Sequence, residues 1–128
     1  MRSKYGARKT VVDGITFDSK KEANRYRELK LLEDAGEIEK LKMQVAFELV
    51  PALYEQPTER YTKGARKGEW KKGKCIERAV TYYADFVYYD LNKDKWIAED
   101  VKGMRTKEYI IKRKLFRHRY YEYDFREV

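Results

Sequence analysis

Residues 79–103, AVTYYADFVYYDLNKDKWIAEDVKG, leave this chain few choices of fold. Two runs rich in β-branched and aromatic residues flank Asn92, Lys93, Asp94 and Lys95, a polar stretch of a length that β-hairpins often use, so a hairpin is expected. Pairing Leu91 with Trp96 puts Asp85 across from Lys102 and Val87 across from Asp100. Side chains alternate along strands, so Asp85, Asp100 and Lys102 then share one face, with Asp100 diagonal to Asp85 at roughly 7–8 Å. Glu99 falls on the other face with Ile97 and Val101, and a single β-bulge would exchange it for Asp100.

Two readings fit this polar face. Mg²⁺ takes one or two carboxylates and leaves its other positions to water and phosphate oxygens. A lysine beside it can orient an attacking water or offset charge developing on phosphate. The plainer alternative is a cross-strand Asp85–Lys102 ion pair on a solvated face.

Such a sheet has to be packed from a minority of positions, because 41% of the 128 residues are charged, while an aromatic content of 15% supplies bulky filling. One domain with one modest core is expected. A net charge of +8 and a pI near 9.4 favour a polyanionic partner. No apolar run approaches spanning length and no secretory apolar segment follows the basic N-terminus. The expectation is therefore a cytoplasmic protein that binds nucleic acid and no membrane. Cys75 is the only cysteine, which excludes an internal disulfide and a cysteine-based zinc site. His118, the only histidine, sits among Arg117, Arg119 and Tyr120, so a Ser-His-Asp or Cys-His mechanism is set aside.

Along the chain, residues 1–9 carry Arg2, Lys4, Arg8 and Lys9 and read as a basic arm. A strand is expected over 11–17. Asp18 and Ser19 then start a helix that runs to residue 35, with Gly36 placed to end it and Ala23, Tyr26, Leu29 and Leu32 as its apolar stripe. Glu22 lies on that stripe. Either its carboxylate points into the protein and needs a partner, or it closes the capping box of Ser19-Lys20-Lys21-Glu22. Over 38–50, Leu41, Met43, Val45, Phe47 and Leu49 alternate with Lys42, Gln44, Ala46 and Glu48, which predicts a half-buried strand ended by Pro51. Gln44 either lies near the hairpin's polar face or is simply solvated.

Residues 52–75 break the pattern. Arg60, Lys63, Arg66, Lys67, Lys71 and Lys72 mix there with Tyr61 and Trp70, and Gly64, Gly68 and Gly73 loosen the chain. This suits a phosphate-tracking flap with base stacking, or alternatively a solubilising loop. Thr106 is placed to cap a second helix over 106–120 with Ile111 and Leu115 as inner positions. Lys112, Arg113, Lys114, Arg117 and Arg119 make it basic; Lys112 is either in reach of a phosphate near the carboxylates or solvated. Tyr121, Tyr123 and Phe125 alternate with charged residues and predict a closing strand.

The order strand, helix, strand, two-stranded hairpin, helix, strand (β-α-β-β-β-α-β) joins Ala84-Asp85-Phe86 and the run Glu99, Asp100, Val101, Lys102, Gly103. Together they resemble the PD-(D/E)xK nuclease superfamily, and most nearly its small phage-encoded members grouped with Holliday-junction resolvases and transposon-end endonucleases. G-I-T-F-D-S-K-K-E-A at 14–23 looks like that group's helix entry, and D-V-K-G at 100–103 like its third motif. The likeness covers nearly the whole chain apart from 52–75. Ala84 stands where the superfamily's name has proline, a position at which that proline is often missing.

The resemblance implies a single nuclease domain over 1–128 with an α/β, restriction-endonuclease-like core: a mixed central sheet with a catalytic hairpin, flanked by two helices. It implies that Asp85 and Asp100 bind one or two Mg²⁺ or Mn²⁺ ions with help from the Val101 carbonyl, while Lys102 positions the attacking water. It also makes Glu22 a metal ligand or water-holding carboxylate. The expected activity is metal-dependent endonucleolytic hydrolysis of DNA, preferably branched or junction DNA, by a homodimer. Arg60, Lys63, Arg66, Lys67, Lys71, Lys72, Lys112 and Arg113 would hold the backbone without reading sequence. The alternative is a non-catalytic DNA- or RNA-binding protein on a nuclease-like scaffold.

Overall fold

The computed structural model of the protein describes residues 9–101 and 105–128. The basic arm expected at 1–9 lies outside the described residues except for Lys9, and so do Lys102 and Gly103.

The stretch expected as one strand at 11–17 is instead a tight hairpin, β1 (Thr10–Val12) paired antiparallel with β2 (Ile15–Phe17). Asp13 and Gly14 both take positive φ, 52° and 76°, the type I′ geometry that an Asp-Gly pair favours. Helix α1 (Lys20–Asp34) follows, its N-cap Ser19 accepting the Glu22 N–H. It ends in a Schellman motif: Gly36 takes φ 77°, its N–H bonds to the Glu33 carbonyl, and the Glu37 N–H reaches the Leu32 carbonyl. Ala23, Tyr26 and Leu29 are buried as the periodicity requires, whereas Leu32 is exposed.

Strand β3 (Ile38–Val50) leads into a two-stranded arm of β4 (Leu53–Tyr54) and β5 (Cys75–Glu77), then β6 (Val80–Asp90), β7 (Lys95–Asp100), α2 (Lys107–Arg119) and β8 (Asp124–Glu127). The central sheet has the order β3-β6-β7-β8, antiparallel except for the parallel β7·β8 pair. The fold is thus α/β with a mixed central sheet and two helices.

The β6·β7 register differs by two residues from the expected one: Asp90 pairs with Lys95 and Phe86 with Glu99. The cause lies in the turn, where the Asp90 side chain accepts the N–H groups of Asn92 and Lys93 and Asp94 takes φ 54°. The loop begins one residue earlier than the polar run suggests. Because the shift is even, every side chain keeps its face, but one step beyond Phe86↔Glu99 now sets Asp100, not Lys102, opposite Asp85.

One core cluster packs Phe17, Ala23, Tyr26, Leu29 and Ile38 with Phe86, Tyr88 and Ile97 on the α1 side. The other packs Phe47, Leu49, Tyr82, Ala84, Val87 and Ala98 with Tyr109 and Phe116 of α2. The alternating residues of β3 do not all share one of these clusters. Leu41 and Met43 pack on the α1 side, whereas Val45, Phe47 and Leu49 pack on the α2 side. The switch falls at Gln44, which takes φ 50°, while the pairing count runs unbroken from Met43↔Phe86 to Val45↔Ala84. The partner strand switches at the same level, since Ala84 packs with α2 and Phe86 with α1. Asp85 sits between them.

In α2 the inner positions are Tyr109 and Phe116, seven residues apart on one face, with Leu115 half-buried. Ile111 is exposed, contrary to expectation, because it lies two residues past Tyr109 and so turns off that face. Tyr121 is likewise exposed: β8 starts only at Asp124, and Tyr123 and Phe125 alone join the α2-side core. Among the described residues no helix is long and apolar enough to cross a membrane.

Candidate active site

Three acids from three elements meet where the sheet switches faces. Ser19 fixes the first turn of α1 and so the place of Glu22, which is only 8% exposed. The Glu22 side chain does not close the capping box; its Oε1 accepts from Gln44 Nε2 at 3.1 Å. The same nitrogen donates to Asp85 Oδ1 at 2.9 Å, so one amide bridges a carboxylate of α1 and one of β6. Asp85 Oδ2 accepts the Val101 N–H at 2.7 Å, tying it to the end of β7. Asp100 is almost fully buried, and its Oδ2 accepts the Tyr82 hydroxyl.

The electrostatics follow from this crowding. Burial, then the charges of Asp85, Asp18 and Asp100, push the Glu22 carboxyl up to about 7, against the lowering effect of the Gln44 hydrogen bond. Burial and the bond to Asp100 hold the Tyr82 hydroxyl protonated far above its ordinary range. Burial and a bond to Glu127 do the same for Tyr109. An open cleft of about 260 Å³ runs over these groups, lined by Tyr82, Asp85, Asp100, Thr106, Tyr109 and Lys112 among others. Asp85, Asp100 and Glu108 contribute acids to its lining, and Lys112 and the capped N-terminus of α2 contribute positive charge. Lys112 also pairs with Glu108 at 3.1 Å.

The sequence-derived candidates are thus partly gathered. Glu22, Asp85, Asp100 and the Val101 main chain come together, and Lys112 lines the same cleft as Asp85 and Asp100. Lys102 lies outside the described residues. Arg113 is held by Glu127, both of whose oxygens accept from it at 3.1 Å. Glu127 also takes Arg105 and Tyr109, which draw its carboxyl down to about 2.

Arg60, Lys63, Arg66, Lys67, Lys71 and Lys72 stand exposed between β4 and β5. That segment is an antiparallel arm: a bridge pairs Arg60 with Trp70, and main-chain bonds join Glu55 to Lys74, Glu59 to Lys71 and Tyr61 to Glu69. Several of its cations lie over aromatic rings: Arg60 over Trp70 at 4.2 Å, Arg66 over Tyr61 at 4.6 Å and Lys72 over Tyr54 at 4.0 Å.

Tyr82 is not legible as a site residue, being one aromatic in an aromatic run, whereas Gln44 takes the first of its two expected places, beside the hairpin's polar face at Asp85. Among the described residues no group of three His, Cys, Asp or Glu side chains is arranged to hold a metal ion. The carboxylates themselves have the hard-oxygen chemistry that Mg²⁺ and Mn²⁺ prefer.

A family model described as a protein of unknown function (DUF1064) matches residues 2–127. The chain belongs to the DUF1064 family. No curated protein and no solved structure matches this DUF1064 chain.

Proposed function

We propose that this protein is a Mg²⁺- or Mn²⁺-dependent DNA endonuclease with a restriction-endonuclease-like core, a resolvase-like member of the PD-(D/E)xK superfamily acting as a homodimer on branched or junction DNA. The observation that carries the reading is the convergence of Glu22, Asp85 and Asp100 from α1, β6 and β7, the last two of them lining an open cleft. Like charges brought this close favour a cation among them.

In this reading Asp85 and Asp100 hold the ion, with the Val101 carbonyl and Glu22 beside them. The bound ion supplies charge that polarises the phosphodiester. Tyr82 and the Val101 N–H orient the carboxylates, each by a hydrogen bond already in place. Lys102 takes the water-positioning role that the D-V-K-G resemblance implies. Lys112 and the N-terminus of α2 favour a phosphate over the cleft. The arm cations add salt-sensitive affinity for the backbone.

A second reading, DNA binding without cleavage, draws on the Gln44 amide that already bridges two of the acids. Cleavage of a labelled four-way junction and its matching linear duplex, with Mg²⁺, Mn²⁺ or EDTA, separates the two. Metal-dependent cutting that Asp100→Asn abolishes, with the junction preferred, is the expected result. Tight salt-sensitive binding with no cutting of either substrate would sink the nuclease reading and leave the binding protein.

A further inference from the structure

We propose that Gln44 is a positioning residue that stands in for the cation, its amide nitrogen holding the Glu22 and Asp85 carboxylates together while no divalent ion is bound and giving way when one binds. The inference rests on the nuclease reading above.

The geometry is specific. A side-chain amide has two N–H donors on one nitrogen, and here that nitrogen lies 3.1 Å from Glu22 Oε1 and 2.9 Å from Asp85 Oδ1. With carboxylate oxygens on both sides, only the nitrogen end of the amide satisfies both contacts. Two carboxylates this near repel, and a bridging donor offsets that repulsion without carrying a charge. An amide nitrogen cannot ligate Mg²⁺ or Mn²⁺, which take oxygen. An ion set between these two oxygens takes the place the amide nitrogen now holds, and so displaces these bonds.

The backbone points the same way. Gln44 takes φ 50°, a conformation that costs a non-glycine residue and that persists only where the surroundings impose it. It falls between the pairs Met43↔Phe86 and Val45↔Ala84, at the level where both strands change faces. The strained backbone position is that of the residue whose side chain spans the two acids.

The stand-in role sets two quantities against each other. Without the amide, the metal-free protein is less stable because Glu22 and Asp85 lose the donor that bridges them. Without it, too, the ion has no hydrogen bonds to displace. The test is Mn²⁺ titration by calorimetry on the full chain, with melting temperatures in EDTA and in saturating Mn²⁺, for wild type, Gln44→Met and Gln44→Asn. Methionine keeps length and lack of branching; asparagine keeps the amide and tolerates positive φ but is too short to reach both acids.

The expected result for Gln44→Met is a lower melting temperature in EDTA, a larger rise on adding Mn²⁺, and Mn²⁺ affinity tighter by about tenfold. Gln44→Asn moves the same way by less, and carries the test alone if the methionine variant does not fold. Weaker or unchanged Mn²⁺ affinity in the variants, against a clear response of the wild type, overturns the stand-in role and leaves the metal site. No response to Mn²⁺ in the wild type overturns the metal-dependent reading and this inference with it.

Discussion

Glu99 and Asp100 are neighbours on β7 and about equally buried, at 0% and 2% exposure, yet they sit in opposite surroundings. Glu99 faces α1, where Arg25 grips both its oxygens at 2.7 and 2.6 Å and Tyr88 adds a hydroxyl. That is a complete, charge-balanced arrangement of the bidentate kind. Asp100 faces the cleft, takes the Tyr82 hydroxyl, and adds its charge to those that raise the Glu22 carboxyl. Strand alternation alone separates the two acids. A fork-shaped cation closes one site as structure, whereas the other gathers acids beside a cleft.

The comparison breaks most visibly in activity. Asp100→Asn keeps the shape and the contact with Tyr82 but removes the charge, so cleavage of junction DNA should fall by about a thousandfold or more, the scale on which site electrostatics act. The melting temperature should hold or rise. Normal cleavage by the variant would move Asp100 to the structural side of the comparison.

Glu99→Gln should do the reverse. Breaking a buried ion pair by removing one partner typically costs about 3–5 kcal/mol, and Arg25, at 19% side-chain exposure, is left without its fork partner. Urea unfolding should show that loss, while cleavage per folded molecule stays near the wild-type rate. A stable Glu99→Gln with lost activity would mean that both acids serve the site.

Most of this contrast was legible before any coordinates. The hairpin, the placing of Glu99 and Asp100 on opposite faces, and the starts of both helices follow from alternation, from Ser19 and from Thr106. The register was not, because a four-residue polar loop fits at 91–94 as well as at 92–95, and only the Asp90 side chain capping the turn selects the first. The Asp13-Gly14 pair carries the turn signal, but the short apolar runs on either side of it also read as one longer strand. The face switch at Gln44 left no signal at all, since a glutamine at positive φ is imposed by the packing of two strands rather than by its own preference. Glu22 was left between two roles for the same reason: spacing serves cap and site alike. Its carboxylate goes to Gln44 rather than back to the cap, and only its main-chain N–H meets Ser19.

Acidity sharpens the difference further. A carboxyl raised in the folded state from 4.5 to about 7 keeps its proton there after the unfolded chain has lost it. The metal-free protein should therefore lose stability as pH rises from about 4.5 to about 7. Thermal melts in EDTA across that range should show the decline, and Glu22→Gln should flatten it. A decline of equal slope in the variant would place its origin in another group.

The smallest effect tests the turn of α1 that serves both sites, since Glu22 and Arg25 lie three residues apart on it. Ser19→Ala removes the hydroxyl that accepts the Glu22 N–H and should cost about 1 kcal/mol, the usual worth of an N-cap. The loss should be uneven. Arg25 is anchored from outside the helix by its two bonds to Glu99, whereas the Glu22 amide depends on the cap itself. Hydrogen exchange should accordingly quicken at the Glu22 amide more than at Arg25, and Mn²⁺ affinity should weaken while the Arg25–Glu99 pair holds. Equal quickening at both positions would mean that the first turn frays as one unit, with Arg25 anchored no better than its neighbour.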